Sequence, residues 1–202
     1  REEMLSYSLK LKERNINIDV PKLLDRAGRY MVSSSVGKIM MGGSTKPGEW
    51  AENSALTVAI KRGSNPLRDT GQLMSSIHHT MRGTDSVVIS TNRTGARIQN
   101  EGGTIRPKKG KYLWIPANYK VRQDLMRSGW SITNLIRKLK ATGKCRKSGH
   151  AFLYRKGKED EWEVIFILKE SVHIPQRRFF GFEEKDRVEI NKIFRKAMDG
   201  SV

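Results

Sequence analysis

A single cysteine, Cys145, stands in a chain of 202 residues, so no internal disulfide can form and the fold must rest on its core. Nor does any stretch approach the ~18 uninterrupted apolar residues of a membrane span, because charged side chains interrupt every apolar run. The chain opens on Arg1, Glu2 and Glu3, without Met or a long apolar segment, which reads as a trimmed or internal start and not as a signal peptide. Acid is scarce as well. Against 39 Lys and Arg there are 21 Asp and Glu, a formal net charge of +18. Such an excess points to an anionic partner: nucleic acid, an acidic protein face or a membrane surface. With 37% hydrophobic residues the composition is that of a globular chain, and a domain of this length buries roughly 70% of its unfolded surface.

Signatures of catalysis are sparse too. His78, His79, His150 and His173 make no zinc-ligand spacing with each other or with Cys145. Gly42, Gly43, Ser44, Thr45 and Lys46 have the composition of a phosphate loop but not its order. Cys145 lies between Lys144 and Arg146, which favours its thiolate, yet no His or Asn partner is placed beside it locally, and it reads as an incidental reduced thiol. Asp69, Thr70 and Gly71 match the tripeptide of aspartic proteases. Arg68 and Gln72 flank it where a buried loop needs apolar residues, and no second copy exists. The same residues serve as a helix start, with Asp69 as cap and Gln72 bonding back. The expectation is a protein without catalysis, cofactor or metal.

Asp19 and Pro21 open a helix of about five turns toward Met41, with Leu24, Ala27, Gly28 and Met31 at helical spacing and Gly42 and Gly43 ending it. Trp50 anchors the following loop on the core, and a short helix is expected over 54–62. Ile77, His79 and Met81 alternate with polar neighbours before a turn at Gly83, Thr84 and Asp85, and residues 86–91 return as a Val/Ile strand, giving a β-hairpin. Residues 111–116 read as a further strand, and 151–155 with 162–168 as a second hairpin. Residues 175–182 form an extended segment. A closing helix over 183–198 has acid in its first turn and Ile190, Ile193, Phe194 and Ala197 on one face. The class is α+β: an antiparallel sheet of hairpins packed against long N-terminal and C-terminal helices. The expected organisation is one domain, 1–202, with a basic arm or loop inserted at 117–149. Within that arm Ile132, Leu135, Ile136 and Leu139 form one short amphipathic stretch.

The charge is uneven. Between Gly103 and Lys158 sixteen basic residues face one acid, Asp124, leaving 23 basic and 20 acidic residues elsewhere. Lys108, Lys109, Lys111, Arg122, Arg137, Lys138, Lys140, Lys144, Arg146 and Lys147 are therefore the candidate contacts to an anionic partner. Tyr112, Trp114, Tyr119 and Trp130 are interleaved among them, a mixture that can grip phosphates and stack bases. A solvated arm, or a docking surface for an acidic subunit, uses the same residues.

Three segments in one order resemble the tailed-phage virion morphogenesis family, the tail-completion and head-tail joining proteins that include Mu-type members. The first runs from Trp50 through Leu56, Thr57 and Lys61 to Leu67, Arg68, Asp69, Thr70, Gly71, Leu73 and Ile77. The second is Ala96, Arg97, Ile98, Gln99, Asn100, Glu101, Gly102 and Gly103, and the third Val172, His173, Ile174, Pro175, Gln176, Arg177, Arg178, Phe179, Phe180 and Gly181. Asn100 stands where the family often has Gln, Gln176 where Ala is usual and Arg178 where Pro is usual. The resemblance covers about 20–116 and 150–198, leaving the basic arm unmatched. It implies a non-enzymatic α+β subunit that assembles in the host bacterial cytoplasm into a homo-oligomeric ring. That ring lies at the neck or tail end of the virion, beside head-completion and tail proteins, with DNA contact open and no membrane. The motif residues Trp50, Asp69, Thr70, Gly71, Leu73, Ile77, Gly102, Gly103, Pro175, Arg177, Phe180 and Gly181 then have structural duties: Asp69 caps, Leu73 and Ile77 pack inward, Gly102 and Gly103 permit a turn, and Phe179 and Phe180 pin the third segment to the core.

Overall fold

The computed structural model describes residues 5–10, 19–43, 46–61 and 63–198; the N-terminal start, Ser44 and Thr45 of the glycine-rich stretch, and Arg62 lie outside them. The class is α+β with antiparallel sheets and helices near both ends of the chain. The chain gathers into two compact units where one domain was expected: unit 1 holds 1–51, 66–102 and 175–202, and unit 2 holds 52–65 and 103–174.

In unit 1, helix α1 (Val20–Met41) begins where Asp19 Oδ1 accepts the Lys22 N–H at 3.0 Å and ends where Gly42, at φ +70°, donates to the Lys38 carbonyl. Its buried stripe of Leu24, Ala27, Met31 and Ile39 contributes about 1.5–3 kcal/mol for each of its large side chains. The helix packs on β2 (His78–Arg82) and β3 (Ser86–Thr91) and on α7 (Glu184–Met198). The sheet order is β1-β3-β2, with β1 at Leu5–Lys10. Gly28 sets the closeness of helix to sheet. A Cβ there would lie 2.7 Å from the His79 ring and 2.9 Å from Val87 Cγ2, so any larger residue would push the two layers apart. Two short helices, α3 (Gln72–Ser75) and α4 (Ala96–Glu101), complete the unit.

Unit 2 contains α2 (Ala55–Lys61) and a two-stranded pairing of β4 (Gly103–Ile105) with β9 (Val172–Ile174). Its main sheet has the order β5-β8-β7-β6, built from β5 (Leu113–Pro116), β6 (Lys144–Ser148), β7 (Ala151–Arg155) and β8 (Glu163–Lys169). Helices α5 (Tyr119–Arg127) and α6 (Ile132–Thr142) supply Val121, Leu125 and Leu135 to a core shared with Phe152, Phe166 and Leu168. Trp114 sits 5.3 Å from the Phe152 ring and 5.6 Å from the Phe166 ring, an aromatic cluster in tilted and edge contacts.

Residues 117–149 therefore do not form an arm or loop: they fold into α5, α6 and β6. Asn118 and Ser131 cap the two helices by accepting the Val121 and Asn134 N–H groups. Each helix is short and carries three basic residues beside its core-facing side chains, Val121 and Leu125 in α5 and Ile132, Leu135, Ile136 and Leu139 in α6. Strand β6 turns only Cys145 toward the core cluster, too little alternation to reveal a strand. Among the described residues no helix is long and apolar enough to cross a membrane.

Candidate functional site

Parts of all three motif segments meet in unit 1, while Leu56, Thr57, Lys61, Gly103, Val172, His173 and Ile174 belong to unit 2. Trp50 is 7% exposed within the core, and its N–H donates to the Gly42 carbonyl at 2.9 Å. From the third segment the buried Arg177 guanidinium donates to the Ala51 carbonyl from Nη2 at 2.9 Å and from Nε at 3.2 Å, and its backbone N–H donates to the Gln99 carbonyl at 2.9 Å. Burial lowers the Arg177 pKa. Asn100 Oδ1 accepts both the Phe179 and the Phe180 N–H, at 3.1 and 2.8 Å. Gly102, at φ +75°, lies so close that a Cβ would stand 2.8 Å from the Gln176 N, a position only glycine occupies without strain. Gly103 begins β4, while Pro175 is half-buried and Gly181 has φ +132°.

The first motif block is placed differently. Ile77 is buried and Leu73 packs against the same core, as expected. Asp69 and Thr70 are exposed, and Asp69 is not the N-cap residue. The N-cap position of α3 belongs to Gly71 at φ +79°, with no side-chain cap bond. Glycine reaches the left-handed conformation needed there, which displaces the carboxylate two residues upstream from the helix start.

Beside this junction α1 and α7 share a sealed ionic centre. Lys38 is 1% exposed and Asp186 0%, with Nζ 3.3 Å from Asp186 Oδ2 and 3.4 Å from Glu183 Oε1. Ser34 Oγ donates to Asp186 at 2.6 Å and the Glu183 N–H at 3.0 Å, the latter being the reach-back bond of a helix start. Burial opposes ionisation of Asp186, but the Ser34 hydroxyl, the Glu183 N–H and the Lys38 ammonium outweigh it and hold the carboxyl below its ordinary value. Tyr30, donating to the same carboxylate, is pushed up to about 12 by burial and by that charge. At the sheet side of α1, His79 Nε2 lies 2.8 Å from Asp25 Oδ1, and this bond together with Arg29 lowers the Asp25 pKa. These groups are paired with one another. An open cleft of about 580 Å³ nearby is lined by Trp50, Gln176 and Arg178 with Glu49, Glu183 and Lys185, so charges of both signs border it.

The anionic-partner candidates fall in unit 2, which holds 19 basic and 7 acidic residues against 20 and 14 in unit 1. Lys108, Lys109, Arg137, Lys138, Lys140, Lys144, Arg146 and Lys147 are exposed; Arg122 is half-buried. Lys111 pairs with Glu170 at 3.4 Å and also lies over Tyr112. Lys147 stands 4.2 Å from the same Tyr112 ring. Of the interleaved aromatics, Trp114 is committed to the core and Tyr112 is packed against it, so neither offers an open face to a base. Trp130 is 59% exposed, at φ +58° in the turn between α5 and α6. Sequence reasoning missed Trp162 and Arg155: the guanidiniums of Arg146 and Arg155 lie over the Trp162 ring at 4.3 and 4.8 Å. The signal was available in the two-residue turn at Gly149 and His150, which pairs Lys144 with Arg155 and Arg146 with Leu153.

Cys145 is the one residue of β6 packed against the core cluster. Its half-buried thiol is pushed up by burial, with the Lys140 charge opposing only in part, so the flanking cations do not activate it. Among the described residues no group of three or more His, Cys, Asp or Glu is arranged to hold a metal ion. No family model, curated protein or solved structure matches the chain.

Proposed function

We propose that the chain is a structural, non-catalytic subunit of a tailed phage or prophage virion, acting in tail completion or head-tail joining through ring assembly and docking. The observation that carries the reading is the meeting of parts of all three motif segments in unit 1. Arg177 ties the third segment to Ala51 and Gln99, and Asn100 ties the second to Phe179 and Phe180. Residues that resemble one family's motifs from three separated stretches thus serve a single packing junction, as structural motif residues must. Assembly is then geometric. Lateral contacts between copies build the ring, and the basic unit 2 supplies charge toward an acidic neighbour or the passing genome, which sets docking rate and salt sensitivity.

The test is assembly. Mass-resolved sizing of the purified chain, with capture experiments against portal-proximal and tail-tube proteins of a phage that carries it, should give a closed oligomer on one of these partners. A chain that neither self-assembles on nor binds either partner sinks the reading.

A further inference from the structure

We propose that the face of the unit 2 sheet carrying Lys144, Arg146 and Arg155 around Trp162 binds the phosphate backbone of duplex DNA. Residues 137–158 contain nine basic residues and no acid. Pairing in the β6–β7 hairpin sets Lys144 directly opposite Arg155, and side chains two apart on a strand share a face, so Lys144, Arg146 and Arg155 gather on one side. Like charges directly opposite across strands are destabilising. Among the described residues no carboxylate lies within ion-pair distance of any of the three. An arrangement that concentrates repulsion without compensating it internally fits a partner that brings the negative charge.

Trp162 makes the face more than a solvated cluster. Both guanidiniums lie over its ring, at 4.3 Å for Arg146 and 4.8 Å for Arg155. Stacking orients these planar groups in advance, so less rotamer freedom is lost on binding; Arg155 Nε is buried, which leaves that residue's terminal nitrogens as its donors to phosphate. Because the indole is already engaged by two cations, it is not the open stacking platform that single-stranded nucleic acid uses. Cations repeating every second residue along an extended strand recur about every 6–7 Å, comparable with successive phosphates along one nucleic acid strand. The contacts reach phosphate and not base edges, so binding is independent of sequence.

The inference rests on unit 2 alone, so it can fail without the tail-completion reading, and the reverse. Its test is fluorescence anisotropy of a labelled mixed-sequence DNA duplex with the full chain over a salt series, with poly-L-glutamate as a second polyanion. The wild type should bind the duplex at low salt, more tightly than poly-L-glutamate, with affinity falling linearly on logarithmic axes. The double variant R146Q/R155Q should flatten that slope by about 2, near 0.9 for each lost phosphate contact. The variant K22Q/K196Q, which removes two exposed charges of unit 1, should leave the slope unchanged. If R146Q/R155Q melts early, Lys144→Gln alone should flatten it by about 1. No duplex binding at low salt, an unchanged slope in these unit 2 variants, or equal affinity for poly-L-glutamate, which would assign the face to an acidic protein, would each overturn the proposal.

Discussion

In unit 1 the buried cation Lys38 has Asp186 and Glu183 within 3.4 Å, and the carboxylate it faces is also served by a hydroxyl and a backbone N–H. In unit 2, Lys144 stands directly across from Arg155 on an exposed strand with no carboxylate at ion-pair distance among the described residues. Both regions are rich in charge, and the larger net excess lies in unit 2, with 19 basic and 7 acidic residues against 20 and 14 in unit 1. What separates them further is completeness: one set of ions is spent inside the fold, where each polar group must be paired, and the other is left to the solvent side, where it is available to a partner. The predictions that follow probe that contrast from its strongest consequence to its weakest.

Asp186→Asn should produce the largest effect. Removing one member of a buried ion pair costs about 3–5 kcal/mol, and Lys38 keeps only Glu183, so a loss near the lower end is expected in the denaturation midpoint. Lys38→Met combined with Asp186→Leu should restore most of it, because an apolar pair carries no desolvation cost. The same centre gives unit 1 an acid limit. The folded pKa of Asp186 is depressed, so its contribution is complete above about pH 4, the ordinary carboxylate value. It is lost as pH falls through the lower folded value. Stability of the wild type should decline over that acid window more steeply than that of the double variant. A flat difference between the two across this range would show that the centre is not ionised as its contacts imply.

A smaller loss should follow Asn100→Ala. Its Oδ1 is the shared acceptor for the Phe179 and Phe180 N–H groups, and each buried donor left without an acceptor costs about 1–3 kcal/mol. Loss of at least 2 kcal/mol in chemical denaturation is expected. A change below about 0.5 kcal/mol, the range of a surface substitution, would mean that the motif junction does not hold the unit together.

The parts legible from the sequence were those where one local rule acted alone. Asp19, Pro21 and Gly42 bounded α1 because caps and backbone conformation suffice to start and stop a helix. The hairpins β2–β3 and β7–β8 showed through alternation. Strand β1 alternates Leu5, Tyr7 and Leu9 with Ser6, Ser8 and Lys10, a legible pattern outside the elements expected from the sequence. Illegible parts depended on what packs where. The pair β4–β9 has three residues in each strand, and β6 is a basic edge strand recognisable only once its partner is known. Lysines on an edge also keep it from pairing with other chains, which hid a strand behind the composition of a loop. Ile77, Phe179 and Phe180 lie in the unit 1 core, whereas the N-cap position of α3 belongs to Gly71, two residues beyond Asp69.

The smallest expected stability effect lies in unit 2, and its sign is what matters. Lys144→Gln removes one of two like charges held directly opposite each other. Such a pair is destabilising by a few tenths of a kcal/mol, about 0.2–1 kcal/mol at most. The variant should thus be as stable as the wild type or slightly more stable at low salt, in thermal melts, and the gain should shrink as salt screens the exposed pair. Buried charges in unit 1 respond in the other direction, since their removal destabilises and salt reaches them little. If Lys144→Gln instead loses stability by more than about 0.5 kcal/mol, the hairpin cations are structural like Lys38, and the distinction between charge sealed in the fold and charge held out for a partner collapses.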